Sequence, residues 1–253
     1  MNGALETQII ALCLLFCRIG GCMMFAPGIS SQRVPTNIRL FIAFPLTAAL
    51  SPLLLDALLD GLGRIPQKAW IGLIFHESLA GILIGLMARC FFLALQFSAT
   101  AISNFIGLSG IPGIPLEEAD TGSPLATLVS SASIAIIFAM GLHVELLKAL
   151  ADSYTVLPLA GVLTAQMLVT NLLRTLGETW ILALRLSAPF LLYGVIVNVA
   201  LGMGNRFAQQ ISMYYATTGA VMLGGFLLLY LIWVDWMAMF TDSYRSWLLQ
   251  GGF

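Results

Sequence analysis

Residues 70–105 read WIGLIFHESLAGILIGLMARCFFLALQFSATAISNF. Apolar residues run through this stretch well past the ~20 that carry an α-helix across a bilayer core. No period-2 alternation marks it as a barrel strand, and lipid offers backbone groups no partner except one another, so it reads as a membrane helix. It is too long for one bilayer thickness. Such a helix must tilt, break, or project beyond the membrane against protein.

The rest of the chain agrees with this reading. Of its 253 residues 59% are hydrophobic and 9% charged, and the mean hydropathy is +0.96, against roughly 25% charged in soluble domains. Six apolar stretches stand out: residues 9–29, 38–59, 69–97, 127–150, 179–203 and 213–237. The expected fold is an all-α membrane protein of about six long hydrophobic helices arranged as hairpins, some bent. An apolar Gly/Pro loop lies between helices 3 and 4, and one membrane domain spans residues 1–253. Pro45 and Pro52 predict a bend in the second stretch. Gly81 and Gly85 have the spacing that permits close helix approach. The segment Leu159–Glu178, where Gln166, Asn171 and Arg174 interleave with apolar residues, reads as a connecting or interfacial helix.

Eleven basic and 12 acidic residues leave a net charge of -1 with no basic patch, so nucleic acid is not an expected partner. Met1–Gln8 has Glu6 but no Lys or Arg, so no removable signal peptide is expected. Loop Lys and Arg residues divide five to three in favour of the side holding both termini, namely Arg64, Lys68, Lys148, Arg174 and Arg245 against Arg33, Arg39 and Arg206. Cys13, Cys17, Cys22 and Cys90 lack metal-site spacing and read as small buried packing residues. No metal or other cofactor is expected.

A charge within a spanning helix costs about 2.5–3.5 kcal/mol on insertion scales, so each needs a partner, a cavity or a function. Arg18, His76, Glu77, Arg89, Glu145, Arg185 and Asp235 all lie in apolar runs. They fit either a proton or ion path or pairing between helices or subunits. His76 and Glu77, adjacent on a helix, point about 100° apart, which favours pairing over a relay. Glu145 and Lys148, three residues apart, can neutralise each other. The sequence has no His-Glu-x-x-His, Gly-x-Ser-x-Gly or P-loop, and neither histidine has a nucleophile beside it. An enzyme is not expected.

Residues 97–125 read FSATAISNFIGLSGIPGIPLEEADTGSPL. Gly107, Gly110 and Gly113 free the backbone while Pro112 and Pro115 deny it a helix, yet Phe105, Ile106, Leu108, Ile111 and Ile114 keep it apolar. Irregular apolar backbone at membrane depth must be buried in protein or line a cavity. It either packs on its own helices or constricts a passage against water and ions.

Three blocks then carry a family resemblance. The first is Arg18-Ile-Gly-Gly, Phe25-Ala-Pro-Gly, Val34-Pro, Ile38-Arg-Leu and Leu50-Ser-Pro. The second runs from Gly141-Leu-His-Val-Glu to Ser153-Tyr and Leu157-Pro, and the third from Ala183-Leu-Arg185-Leu-Ser-Ala-Pro189 through Asn198–Gly202 to Asn205-Arg206. Together they resemble the FliR family of flagellar type III export-gate subunits and its virulence counterparts, SctT and SpaR. The chain departs from the family pattern at Ala208-Gln209-Gln210, where Pro commonly precedes Gln, and at Thr217-Thr218-Gly219.

The resemblance implies a bacterial inner-membrane subunit of the flagellar basal body that forms a conduit with FliP and FliQ. FlhB and FlhA serve that conduit, and unfolded export substrates pass through it. It also implies a pore plug at Asn104, Phe105, Ile106, Gly107, Leu108, Ser109, Gly110, Ile111, Pro112, Gly113, Ile114 and Pro115. Arg18, His76, Glu77, Arg89, Glu145, Arg185, Arg206 and Asp235 are then expected to make contacts between helices or subunits. The alternatives are the same role in a virulence system, or a polytopic small-molecule transporter. The latter would be expected to show inverted repeats, which are not evident.

Overall fold

The computed structural model describes residues 2–30, 34–63, 65–66, 69–108, 124–157, 159, 165–207 and 213–250. Among these the fold is seven α-helices: α1 Asn2–Phe25, α2 Thr36–Leu62, α3 Trp70–Phe105, α4 Pro124–Ala139, α5 Leu142–Val156, α6 Ala165–Phe207 and α7 Met213–Leu249. No strand is present among the described residues. Within α1, α2, α3, α6 and α7 lie stretches long and apolar enough to cross a membrane.

The expected long third helix is continuous. α3 has 36 residues, about 54 Å at 1.5 Å per residue, so its excess length is not absorbed by a break. α2 runs through both prolines. Pro52 has no N–H for the carbonyl of Ala48, and the Ser51 hydroxyl donates to that carbonyl instead, at 2.9 Å.

Two expectations are corrected. The stretch 127–150 is not one helix, because α4 and α5 meet at a 70° bend. Gly141 sits at the corner with φ 71, a left-handed conformation that side chains disfavour. The segment Leu159–Glu178 is not a separate helix either. From Ala165 it belongs to α6, which continues through Pro189 for 43 residues. Its polar residues fit a long helix surface as well as a membrane interface.

By its internal contacts the chain forms two compact units. The first comprises residues 1–91, 137–177 and 244–253, the second residues 92–136 and 178–243, so α3, α4, α6 and α7 each give a segment to both. In the first unit α1 packs against α2, over a core that includes Leu14, Leu15, Ile19 and Ile84. Phe91 stands 5.7 Å from Tyr244 and 5.3 Å from Trp247, centroid to centroid. In the second unit Leu95, Ile102, Leu186, Phe190 and Phe240 are fully buried. The Ser98 hydroxyl reaches the carbonyl of Ala183 at 3.1 Å. Cys22 and Cys90 are buried as expected, whereas Cys13 is exposed and Cys17 half-buried.

Candidate functional site: a buried polar clasp and the root of an apolar loop

Arg18 is the largest fully buried side chain among the described residues. Its guanidinium forms a fork with Glu77, Nε donating to Oε2 at 2.6 Å and Nη2 to Oε1 at 2.8 Å. The geometry is bidentate and charge-assisted, among the stronger side-chain pairings available. Nη1 donates to Ser153 Oγ and Nη2 to the carbonyl of Leu157, each at 3.0 Å. The Tyr154 ring lies 3.8 Å from the guanidinium carbon, within cation–π range. One arginine thus ties α1 to α3 and to the end of α5, where it satisfies a terminal carbonyl.

The fork needs α1 and α3 close together, and glycine provides this. A Cβ at Gly81 would overlap the backbone of Arg18, and one at Gly21 would stand 2.8 Å from the carbonyl of Ser78. The expected close approach at Gly81 and Gly85 is therefore real, with α1 as the neighbour.

The remaining charged candidates divide. His76 lies 3.4 Å from Glu77 Oε1 through Nδ1. Glu145 pairs with Arg245 at 3.2 Å, not with Lys148 as its spacing suggested, because the end of α7 brings a cation to it. Both partners of that pair keep solvent access, at 20% and 55%. Glu145→Gln is accordingly expected to cost no more than about 1 kcal/mol of stability, checked by thermal unfolding in detergent. Arg89 is half-buried, while Arg185, Arg206 and Asp235 are exposed. Nothing in the local sequence marks Ser153, Tyr154 or Arg245 as partners, since the Arg18–Ser153 bond joins residues 135 apart.

At the other candidate, residues 104–108 are described and Ser109, Gly110, Ile111, Pro112, Gly113, Ile114 and Pro115 lie outside the described residues. α3 ends at Phe105. Gly107 then takes φ 80, the left-handed turn by which many helices stop. Ile106 is fully buried and seated against Gly225, where a Cβ would overlap it; Phe105 rests on Gly194, where a Cβ would come within 2.8 Å of its ring. Asn104, Gly107, Asn198, Leu201 and Thr218 help to line a cavity of about 90 Å³ beside this root. Among the described residues no group of three or more His, Cys, Asp or Glu could hold a metal ion.

Long apolar helices, with a buried charge pair that fastens them and an apolar segment leaving one end, define a multi-pass helical membrane protein. The sequence matches the bacterial export proteins, family 1, over residues 9–247, and the chain belongs to that family. It is similar to the flagellar biosynthetic protein FliR of Caulobacter vibrioides, 26% identical over 245 residues, which cover 94% of each chain. FliR of Escherichia coli K12 is 23% identical over 199 residues, 78% of this chain and 74% of that one. The Yop proteins translocation protein T of Yersinia pestis is 28% identical over 148 residues, 56% of this chain and 55% of that one.

Proposed function

We propose that this chain is a structural and gating subunit of a bacterial flagellar type III export gate. In this reading it sits in the inner membrane at the flagellar basal body and lines a protein channel with FliP-type and FliQ-type subunits. FlhB and FlhA serve that channel, and unfolded substrates pass through it. The flagellar likeness reaches 94% of the chain against 56% for the virulence relative, which favours the flagellar assignment.

The observation that carries the gating role is the fixed root of the apolar segment. Ile106 is held in a glycine notch immediately before Gly107 turns the chain out of α3. A closing element needs a firm base, because a plug that wanders seals nothing. Asn104–Pro115 is the closing segment in this reading, and it acts by filling the passage with apolar side chains.

Deleting residues 106–114 is expected to raise ion leak through the assembled complex, read as membrane depolarisation. Unchanged leak sinks the gating role. Gly225→Ala is the gentler test, since its Cβ overlaps Ile106. Overpacking of about 1–3 kcal/mol at the root should raise leak about five- to a hundredfold while leaving recovery of the complex intact. Should the purified chain prove a lone monomer that moves a small solute in liposomes, the export-gate reading is wrong.

A further inference from the structure

We propose that an apolar cavity in the first unit, beneath the corner between α4 and α5, is a binding site for the end of a lipid acyl chain. The export-gate reading neither requires nor supplies this site, which needs only that α2 crosses the bilayer.

The cavity has a volume of about 200 Å³. Met23, Ala26, Leu146 and Tyr244, all buried, form its floor. Its mouth lies at half-buried Ile42 and Leu46 and exposed Phe138. The rings of Phe138 and His143 face each other 4.9 Å apart on either side of Gly141, so one wall of the cavity is the corner itself. Every one of these residues belongs to the first unit. The chemistry of the walls selects the guest. Among the described lining residues only His143 and Tyr244 carry a side-chain nitrogen or oxygen, whereas a held water needs two to four polar partners. An apolar cavity of about 150 Å³ stays dry and accepts benzene. This one has room for a slightly larger apolar guest, and a charged or strongly polar one would be left without partners.

The position of the mouth says where that guest comes from. α2 has 27 residues, about 40 Å at 1.5 Å per residue, against a hydrocarbon core of about 30 Å. Leu46 stands about 15 Å from the start of α2, so every register that keeps the core within this helix places Leu46 in hydrocarbon. The molecules that surround the mouth there are lipid tails. A tail that enters sheds no water, and it gains the dispersion contacts that an empty cavity denies its walls. Its headgroup stays at the interface. Once seated, the tail braces both arms of the corner, since Ile137 and Phe138 precede Gly141 while His143 and Leu146 follow it.

The test uses the full chain in its native membrane, supplied with phosphatidylethanolamine that bears a diazirine near the methyl end of one acyl chain, with mass spectrometry of the adducts after illumination. Adducts are expected on Met23 and Leu146, which are 2% and 5% exposed and so out of reach of lipid that merely surrounds the protein. Phe44, 69% exposed and outside the cavity, reports that surrounding lipid. Ala26→Leu fills the floor and should cut the Met23 and Leu146 adducts at least about fivefold while leaving those on Phe44 unchanged. Should that variant fail to accumulate, Leu46→Trp narrows the mouth and makes the same comparison. Labelling of Phe44 without Met23 or Leu146 overturns the site, as does labelling that neither variant reduces. A second arm uses a diazirine-bearing alkane of six carbons with no headgroup. If the alkane labels Met23 and Leu146 and the phospholipid does not, the cavity takes small apolar molecules and the acyl-chain assignment is wrong. None of these results bears on co-purification with FliP-type and FliQ-type subunits, so the export-gate reading stands or falls separately.

Discussion

Arg18→Met is expected to destabilise the first unit by about 3–5 kcal/mol, the usual cost of leaving one partner of a buried ion pair without the other. The side chain lost is fully buried, and so is the carboxylate left behind. Glu77 would then keep His76 nearby, at 3.4 Å, but no full positive charge to match its own, and the Leu157 carbonyl and Ser153 hydroxyl would lose their donor. Removing both charges reverses the logic, because an apolar pair of similar volume has no desolvated ion to compensate. Arg18→Met combined with Glu77→Leu should therefore recover most of the lost stability, read as thermal unfolding in detergent. A double variant no more stable than Arg18→Met would mean that the clasp acts through something other than charge compensation.

Gly81→Ala is expected to have the second largest effect, beyond what one methyl group ordinarily costs. Its Cβ would fall on the backbone of Arg18, and backbone cannot step aside as a flexible side chain can. The two helices must separate, which alone costs about 1–3 kcal/mol as overpacking. Glu77 lies four residues before Gly81, on the same face of α3, so the separation also stretches a fork now held at 2.6 and 2.8 Å. Gly20→Ala is the control, with nothing within 4 Å of the added carbon. It should be neutral or stabilising by up to about 1 kcal/mol, from helix propensity. Equal unfolding temperatures for the two variants would refute the close-contact explanation.

Much of this fold was legible from the length of its apolar runs, since a 36-residue stretch such as 70–105 has no other stable conformation in lipid. What composition could not locate was the corner at Gly141. A left-handed glycine interrupts a helix without interrupting hydrophobicity, so 127–150 read as one element. The opposite error arose at Leu159–Glu178, where scattered polar residues suggested a boundary that α6 simply passes through. Among the charges, the sequence marked Arg18 and Glu77 as needing partners, because burial in apolar runs makes that demand visible. It could not say that they meet each other, 59 residues apart. Glu145 shows the limit of local spacing, because Lys148 lay within reach along the helix and yet Arg245 supplies the charge. At the loop, glycine and proline announced irregular backbone, but the notches at Gly194 and Gly225 belong to other helices and carry no signature in the loop itself.

The corner between α4 and α5 has a further consequence, one of counting. Among the described residues five single helices contain stretches fit to cross the membrane, and the bent pair makes a sixth passage only if it too goes through. Six passages return the chain to the compartment it left; five deliver its end to the other side. The direction taken at Gly141 therefore decides the parity of these passages. An even count puts the start of α1 and the end of α7 on one face of the membrane and an odd count puts them on opposite faces, while the lysines and arginines of the loops decide which face that is.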